Sequence, residues 1–527
     1  MKTRSSRDMR IVWGLLIVCG IGLAERPVVL YKGLGTWRHP IATKNAEAQR
    51  FFDQGLALLY GFNRYEALRS FKKASELDGS ALMPYWGMAA AQGPYINMDG
   101  DPSFDLKAAC SAVAAGRKVA TGAAPRERDY LEAVGSWCPE YRPPEYVRAI
   151  QSVAERWPDD LDAQTLYAEA LMIPPRWKWY SDGKAADGVA EAEWALEGVL
   201  RRWPEHAGAN HFYIHAVESS TTPERAVPSA QRLMGLTPWA GHLVHMPAHI
   251  WLVLGDYELA ATLNERASAV DREYMSAADM SMGTYTPYYI HNLHFVTYAR
   301  SMQGRKAEAI KAADAMAAAI GPMATMMPEM ADSFLCQTVF TRVRVGAWDE
   351  VLRLARPKEK LIAETAIWRY ARVLALLAKA DKNTALRERA LFDEARAKVP
   401  AGAPWGQNQA GDVMRLAAEI LAARLGEDAV GHWVKAVGIQ DGLVYDEPPA
   451  WYYPVRESLG AELVRGGRAA DGEKVLREGL QRSPRNGVML FGLMEALKAQ
   501  GKDFEEVKKE FEAAWGKADV KLSLAGM

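Results

Sequence analysis

Five glycine-centred turns, each between two amphipathic stretches, constrain this chain more than any other feature. They are Gly255-Asp256-Tyr257, Gly304-Arg305, Gly346-Ala347-Trp348, Gly467-Arg468 and Gly501-Lys502-Asp503-Phe504. A glycine after a helical stretch ends the helix and lets the chain reverse. Between such turns run Ala, Leu, Glu, Arg and Lys in 3.6-residue spacing, and no strand-length β-branched alternation recurs. Gly467 and Gly501 are 34 residues apart, while the earlier turns are spaced by 49 and 42, so insertions stretch the middle repeats. One helix pair cannot bury its own apolar face, so pairs must stack on their neighbours. The pattern predicts an all-α fold, an α-solenoid of antiparallel helix pairs wound as a right-handed superhelix. The array should run over 47–527, after an extended segment at 25–46. Near its start, Gly55, Ala67, Phe71 and Ala74 place small residues where helices approach and a ring to fill the seam.

The first 24 residues predict export. Lys2, Arg4, Arg7 and Arg10 precede the apolar run from Ile11 to Ala24, which at 14 residues is short for a membrane span. It ends Gly22-Leu23-Ala24, with small residues at the −3 and −1 places of a cleavage site. Cleavage would leave Glu25 first; lipidation at Cys19 is the alternative, disfavoured by the bulk of Val18. No later segment is apolar for 18 residues, so no membrane span is expected. Export makes disulfides admissible. Helical text at 108–119 and 126–134 flanks a turn at 121–125, and Cys110 and Cys138 lie symmetrically about it. A Cys110–Cys138 bridge is therefore expected, with two buried thiols as the alternative.

Of the 527 residues, 64 are Lys or Arg and 65 are Asp or Glu, a net charge of −1. That balance gives no general attraction for nucleic acid or anionic membranes. No Gly-rich phosphate loop, Gly-x-Ser-x-Gly elbow or His-Glu-x-x-His occurs, so nucleotide binding and the familiar hydrolase classes lack support.

The 34-residue period resembles that of tetratricopeptide-repeat proteins. More narrowly, the chain is similar to a widespread group of exported bacterial repeat proteins. The matching text is Asn210-His211-Phe212-Tyr213-Ile214-His215-Ala216-Val217-Glu218, Gly241-His242-Leu243-Val244-His245-Met246-Pro247-Ala248-His249-Ile250 and His291-Asn292-Leu293-His294. It continues in Tyr445-Asp446-Glu447-Pro448-Pro449 and Trp451-Tyr452-Tyr453-Pro454-Val455-Arg456. One departure is Arg64, where the resemblance implies His after Gly61-Phe62-Asn63. The resemblance implies a fold and a site, and no reaction.

Seven of the ten histidines fall between 211 and 294, where chance would place fewer than two. Counted on repeats beginning near Ala207, Gly241 and Ile290, they occupy the second, fifth and ninth places. In the arrays this chain resembles, those places line the concave groove. Spacings of three and four residues put side chains on one helical stripe. His211, His215, His242, His245, His249, His291 and His294 are thus candidate ligands for one or two transition-metal ions in the His-rich repeats, 205–300. Glu218, one turn beyond His215, is the candidate catalytic acid–base or second-shell carboxylate. His206 lies outside the pattern. Nine of the 21 methionines lie in 275–330, and Cys336 is expected to face the groove. Soft sulfur beside imidazole favours copper, with zinc or iron next; core filling is the alternative use of these methionines.

The stretch 445–456 breaks the helical text with charge, rings and proline. Glu447, Trp451, Tyr453 and Arg456 are candidate groove residues that close one end or contact a small molecule or peptide, against an irregular helix connection with surface aromatics. Two functions remain: a metal site, with oxidoreductase chemistry ahead of hydrolysis, or a periplasmic scaffold binding a partner protein or peptide.

Overall fold

The computed structural model describes residues 26–98, 103–277, 285–326, 328–426 and 428–527. The expected signal segment, 1–24, lies outside them.

The described chain is an all-α array of stacked helix pairs, a tetratricopeptide-like α-solenoid. It opens with the hairpin Ala46–Tyr60 and Arg64–Leu77, capped by Asn45 and Asn63, whose side chains accept from backbone N–H groups of the first turn. Other pairs include Ala207–Glu218 with Val227–Leu236, Ile362–Ala378 with Lys382–Arg396, and Arg456–Arg465 with Ala469–Arg482. Turns this short leave consecutive helices no choice but to pack antiparallel. At the five turn glycines φ lies between 62° and 76° or, at Gly467, is 79°, the left-handed region that lets the chain reverse without a Cβ clash. The only strands among the described residues are two antiparallel two-residue pairs, Tyr180–Ser181 with Lys184–Ala185 and Pro404–Trp405 with Asn408–Gln409.

Packing follows the small-residue logic. A Cβ on Gly55 or Gly87 would stand 2.6 or 2.4 Å from the Phe71 ring, so this phenyl fills a seam shared by three helices. One large apolar core runs through residues 41–250 and another through 336–463. Helices Leu106–Val119 and Pro125–Gly135 carry the Cys110–Cys138 disulfide at their open end, with Cα atoms 5.6 Å apart. No described helix is long and apolar enough to cross a membrane. The segment before Ala46 is extended and held on the array: Tyr31 N–H donates to Gln54 Oε1 at 2.7 Å and Ile41 N–H to Gln49 Oε1 at 3.0 Å.

Candidate metal centre

His211 and His215 lie on the helix Ala207–Glu218, which is capped by the neighbouring His206: its Nδ1 accepts from Ala209 N–H at 3.1 Å. His242 and His245 lie on the short helix Gly241–His245, His249 on Pro247–Val253 and His291 on Thr286–Met302. Pro247 has no N–H to donate, so the run from Gly241 is interrupted at Met246, which keeps helical φ and ψ. Gly241 is required where it is: a Cβ there would stand 1.8 Å from Asp271 Oδ1. Asp271, on the helix Tyr257–Ala277, in turn accepts from Asn292 Nδ2 at 2.6 Å, which ties that helix to the one bearing His291.

The repeat offsets predict rings on an open concave face. Instead His211, His215, His242, His245 and His249 are each at most 3% exposed. Two distant segments close over them. The Phe62 ring, at the turn of the first hairpin, lies 4.6 Å from the His211 ring and 4.9 Å from that of His242. From the other side, Glu447 Oε2 comes within 2.8 Å of His249 Nδ1.

The hydrogen bonds decide which nitrogen of each ring carries a lone pair. His211 Nδ1–H donates to the Tyr60 carbonyl at 2.7 Å. His245 Nδ1–H donates to Asn264 Oδ1 at 2.7 Å, and Asn264 Nδ2 donates to the Ala260 carbonyl, which fixes the amide's orientation. Glu218 takes Nδ1–H from two rings, His215 at 2.8 Å through Oε1 and His249 through Oε2. Four rings therefore spend Nδ1 on an oxygen and turn Nε2 inward, the arrangement that orients metal-binding imidazoles. His245 Nε2 and His249 Nε2 face each other at 2.7 Å. Two lone pairs at that distance need a cation between them, a proton or a metal ion. His215 Nε2 and His242 Nδ1 are buried without a hydrogen-bond partner, and His242 Nε2 is 3.2 Å from His211 Nε2.

Burial, with the charge of His249 behind it, pushes His215 and His291 down to about 3. Burial and neighbouring imidazoles hold His211, His242 and His245 well below the ordinary histidine range. His249 goes the other way: burial opposes its charge, but Glu447 and Glu218 outweigh it and raise it to about 10. Five neutral imidazoles and one held proton are thus gathered in one enclosure. The donor atoms of His211, His215 and His242 lie within 4.8 Å of one another, as do those of His245, His249 and His291, and those of His215, Glu218, His249 and Glu447.

Not every sequence candidate joins. His294, three residues from His291, turns to the helix Pro328–Arg344, 6.3 Å from the Phe334 ring, with Gln337 as its hydrogen-bond partner. Cys336 does not face a groove; it is fully buried in the apolar cluster of Val339 and Phe340, where burial raises its thiol well above its usual range. Met302, Met316 and Met323 likewise fill apolar clusters, while Met280, Met282 and Met327 lie outside the described residues. No cysteine joins these donor groups among the described residues. Arg64 points away from the rings, donating to the Gly93 carbonyl at 2.7 Å and stacking over Tyr95 at 3.9 Å.

The 445–456 stretch divides. Glu447 belongs to the histidine enclosure, and Tyr445 hydroxyl donates to it at 3.0 Å. Trp451 is a core residue, 4.8 Å from the Phe340 ring, and Arg456 is bidentate to Asp441 at 2.6 and 2.7 Å. With Tyr257, Tyr298 and Tyr453, these residues line a cavity of about 340 Å³ that reaches Glu447 at the edge of the centre. Sequence spacing missed Tyr60, Asn264 and Phe62, whose contacts arise only when distant helices meet. It missed a second buried cluster as well. Asp162 accepts from His39 Nδ1 at 2.7 Å, Tyr60 hydroxyl at 2.7 Å, Trp37 Nε1 at 3.0 Å and His206 Nε2 at 3.2 Å.

No family model matches the chain, and no curated protein matches it. Among solved structures, yeast Tom70 is similar at 12% identity, over 87% of this chain and 90% of that one, with a TM-score of 0.34. The human IFIT1 dimer with m7Gppp-AAAA is similar at 12% identity over 90% of each chain, TM-score 0.31. The TPR domain of P58(IPK) is similar at 11% identity over 86% and 99%, TM-score 0.19. At such scores the likeness adds nothing to the helix pairing described above.

Proposed function

We propose that this chain is an exported α-solenoid whose histidine enclosure binds a transition metal. The observation that carries the reading is the His245–His249 contact: both rings have committed Nδ1 to oxygen acceptors, and their Nε2 atoms converge at 2.7 Å. In the metal-free protein the proton that His249 holds bridges this pair, and a metal ion would displace it. The buried Nε2 of His215 and Nδ1 of His242, which have no hydrogen-bond partner, support the reading, since buried polar atoms are rarely left unpaired. With the donor set reduced to imidazole and carboxylate, copper keeps first place by standing highest in the Irving–Williams order, followed by zinc and then iron. Redox chemistry is therefore the first reaction class to test. The cavity beside Glu447 is the natural place for a small molecule to approach, since aromatic walls with a few polar groups are the usual composition of such pockets.

The test is metal analysis of purified mature protein, followed by titration with Cu²⁺ and Zn²⁺. His245→Ala should weaken binding by more than ~100-fold, beyond what loss of an outer-shell partner costs. Absence of binding at micromolar metal would overturn the reading. N-terminal sequencing of exported protein should start at Glu25; a lipid on Cys19 would replace that export route with anchoring.

A further inference from the structure

The enclosure holds more donors than one ion can use. Copper or zinc takes three or four nitrogens at about 2.0–2.1 Å, which keeps neighbouring donor atoms about 3.3–3.5 Å apart. Six imidazoles present themselves here, and they sort into two triplets. The donor atoms within each triplet lie within 4.8 Å of one another, and the group that takes a ring from each, His215 and His249, does so together with Glu218 and Glu447. The first triplet, His211, His215 and His242, draws on two helices. The second, His245, His249 and His291, draws on three.

Resting on the metal reading above, we propose that the centre is dinuclear, with one transition-metal ion on His211, His215 and His242 and a second on His245, His249 and His291. The orphaned atoms and the short nitrogen–nitrogen contact fall one to each side. His215 Nε2 and His242 Nδ1 lack partners in the first triplet, and the facing Nε2 pair of His245 and His249 marks the second. An ion in the second triplet needs those two nitrogens to part by roughly half an ångström, to about the 3.3 Å of shared ligands. That movement is a small ring rotation about side chains whose Nδ1 atoms stay hydrogen-bonded.

The remaining donor group, His215, Glu218, His249 and Glu447, plays another part. Its imidazoles meet the carboxylates through Nδ1–H, so its hydrogen bonds are already made without an ion. Glu218 is thus a positioning residue shared by both sites, one carboxylate oxygen on His215 and the other on His249. The two ions would sit next to each other, since the His215 and His249 rings are 5.3 Å apart and those of His242 and His245 5.4 Å apart. Two adjacent ions with three imidazoles each suit a ligand that bridges them, such as dioxygen or a hydroxide.

Titration of full-length mature protein with Co²⁺, read by its visible absorption and by metal analysis after desalting, tests the count. Two equivalents per chain are expected. His242→Gln should retain one equivalent, His291→Gln should retain one with a different absorption spectrum, and the double variant none. Circular dichroism of each variant must match wild type, and Gln keeps enough bulk to guard the fold; His211→Gln provides a second probe of the first site should His242→Gln fail to fold. One equivalent in wild type, lost in Glu447→Gln and indifferent to His242→Gln and His211→Gln, would overturn the dinuclear assignment and leave the metal reading standing. No bound cobalt, copper or zinc would remove both.

Discussion

Two buried histidine clusters lie on either side of Tyr60, and they solve the problem of a buried imidazole in opposite ways. Around Asp162, one carboxylate collects N–H and O–H from His39, His206, Trp37 and Tyr60, so each donor has an acceptor. There only His39 Nε2, of the imidazole nitrogens, is left without a hydrogen-bond partner. Around Glu218 the carboxylates occupy the outer nitrogens, and the inner ones meet each other. Three of the Asp162 cluster's groups are also spaced as metal ligands would be. Spacing alone therefore does not separate a structural cluster from a ligand set; the side on which the lone pairs fall does.

Breaking the first cluster should have the largest effect. Asp162→Ala strands the three buried donors on His39, Tyr60 and His206 and the half-buried Trp37, and loss of one partner from a buried ionic group costs about 3–5 kcal/mol. A denaturant midpoint should fall accordingly, while the protein that remains folded keeps the same number of metal ions and loses only the affinity passed on through Tyr60. If metal binding vanished and stability did not move, the roles of the two clusters would be exchanged. Glu218→Gln sharpens the other side: it keeps the shape and removes the charge that orients His215 and His249. Metal affinity should drop by about 10–100-fold, read by competition with a chromophoric chelator, with little change in the unfolding midpoint of the metal-free protein.

The pH dependence of stability follows in part from the Asp162 cluster. Burial opposes its charge, but hydrogen bonds from His206 and His39 outweigh that and hold Asp162 far below the usual carboxylate range. The stability it adds is complete above about 4 and is lost as the pH falls from there through the folded value. His39 is raised because Asp162 outweighs burial. Its contribution is complete below about 6.5 and is lost as the pH rises through its folded value. The rings held below the ordinary histidine range, His211, His215, His242, His245 and His291, act against the window these two leave. Unfolded they take up protons below about 6.5 that they refuse when folded, so metal-free protein should lose stability as the pH falls below about 6.5. Asp162→Asn should remove only the part of the loss that sets in below about 4, read in unfolding measurements across pH. The smallest effect is expected from His294→Ala, which removes a ring packed beside Phe334 and should leave metal uptake unchanged.

The fold was legible because its punctuation is local: a glycine turn needs only its own residues, and all five singled out have left-handed φ. The site was legible in part. Helical spacing brought out His211 with His215 and His245 with His249, which share a run. It failed for His294, because three residues from His291 is most of a turn and reaches a different neighbour, the helix of Phe334 and Gln337. The acceptors that give the rings their meaning lie 151 residues away at Tyr60 and 19 away at Asn264. His206 was set aside for the same reason, as its carboxylate lies 44 residues back and His39 lies 123 before it. Such pairings are properties of how repeats stack, which no periodicity within one repeat encodes.

Tyr60 ends the first helix and answers to both clusters: its hydroxyl donates to Asp162, and its carbonyl accepts the His211 proton that turns Nε2 inward. The first cluster also fastens the extended N-terminal segment through Trp37 and His39. On the metal reading proposed above, occupancy of the centre and attachment of that segment would be linked through Tyr60, and linkage is reciprocal. Whatever loosens the segment at its far end loosens the hold on the ion, so cleavage near residue 40 would act on the centre as a release catch.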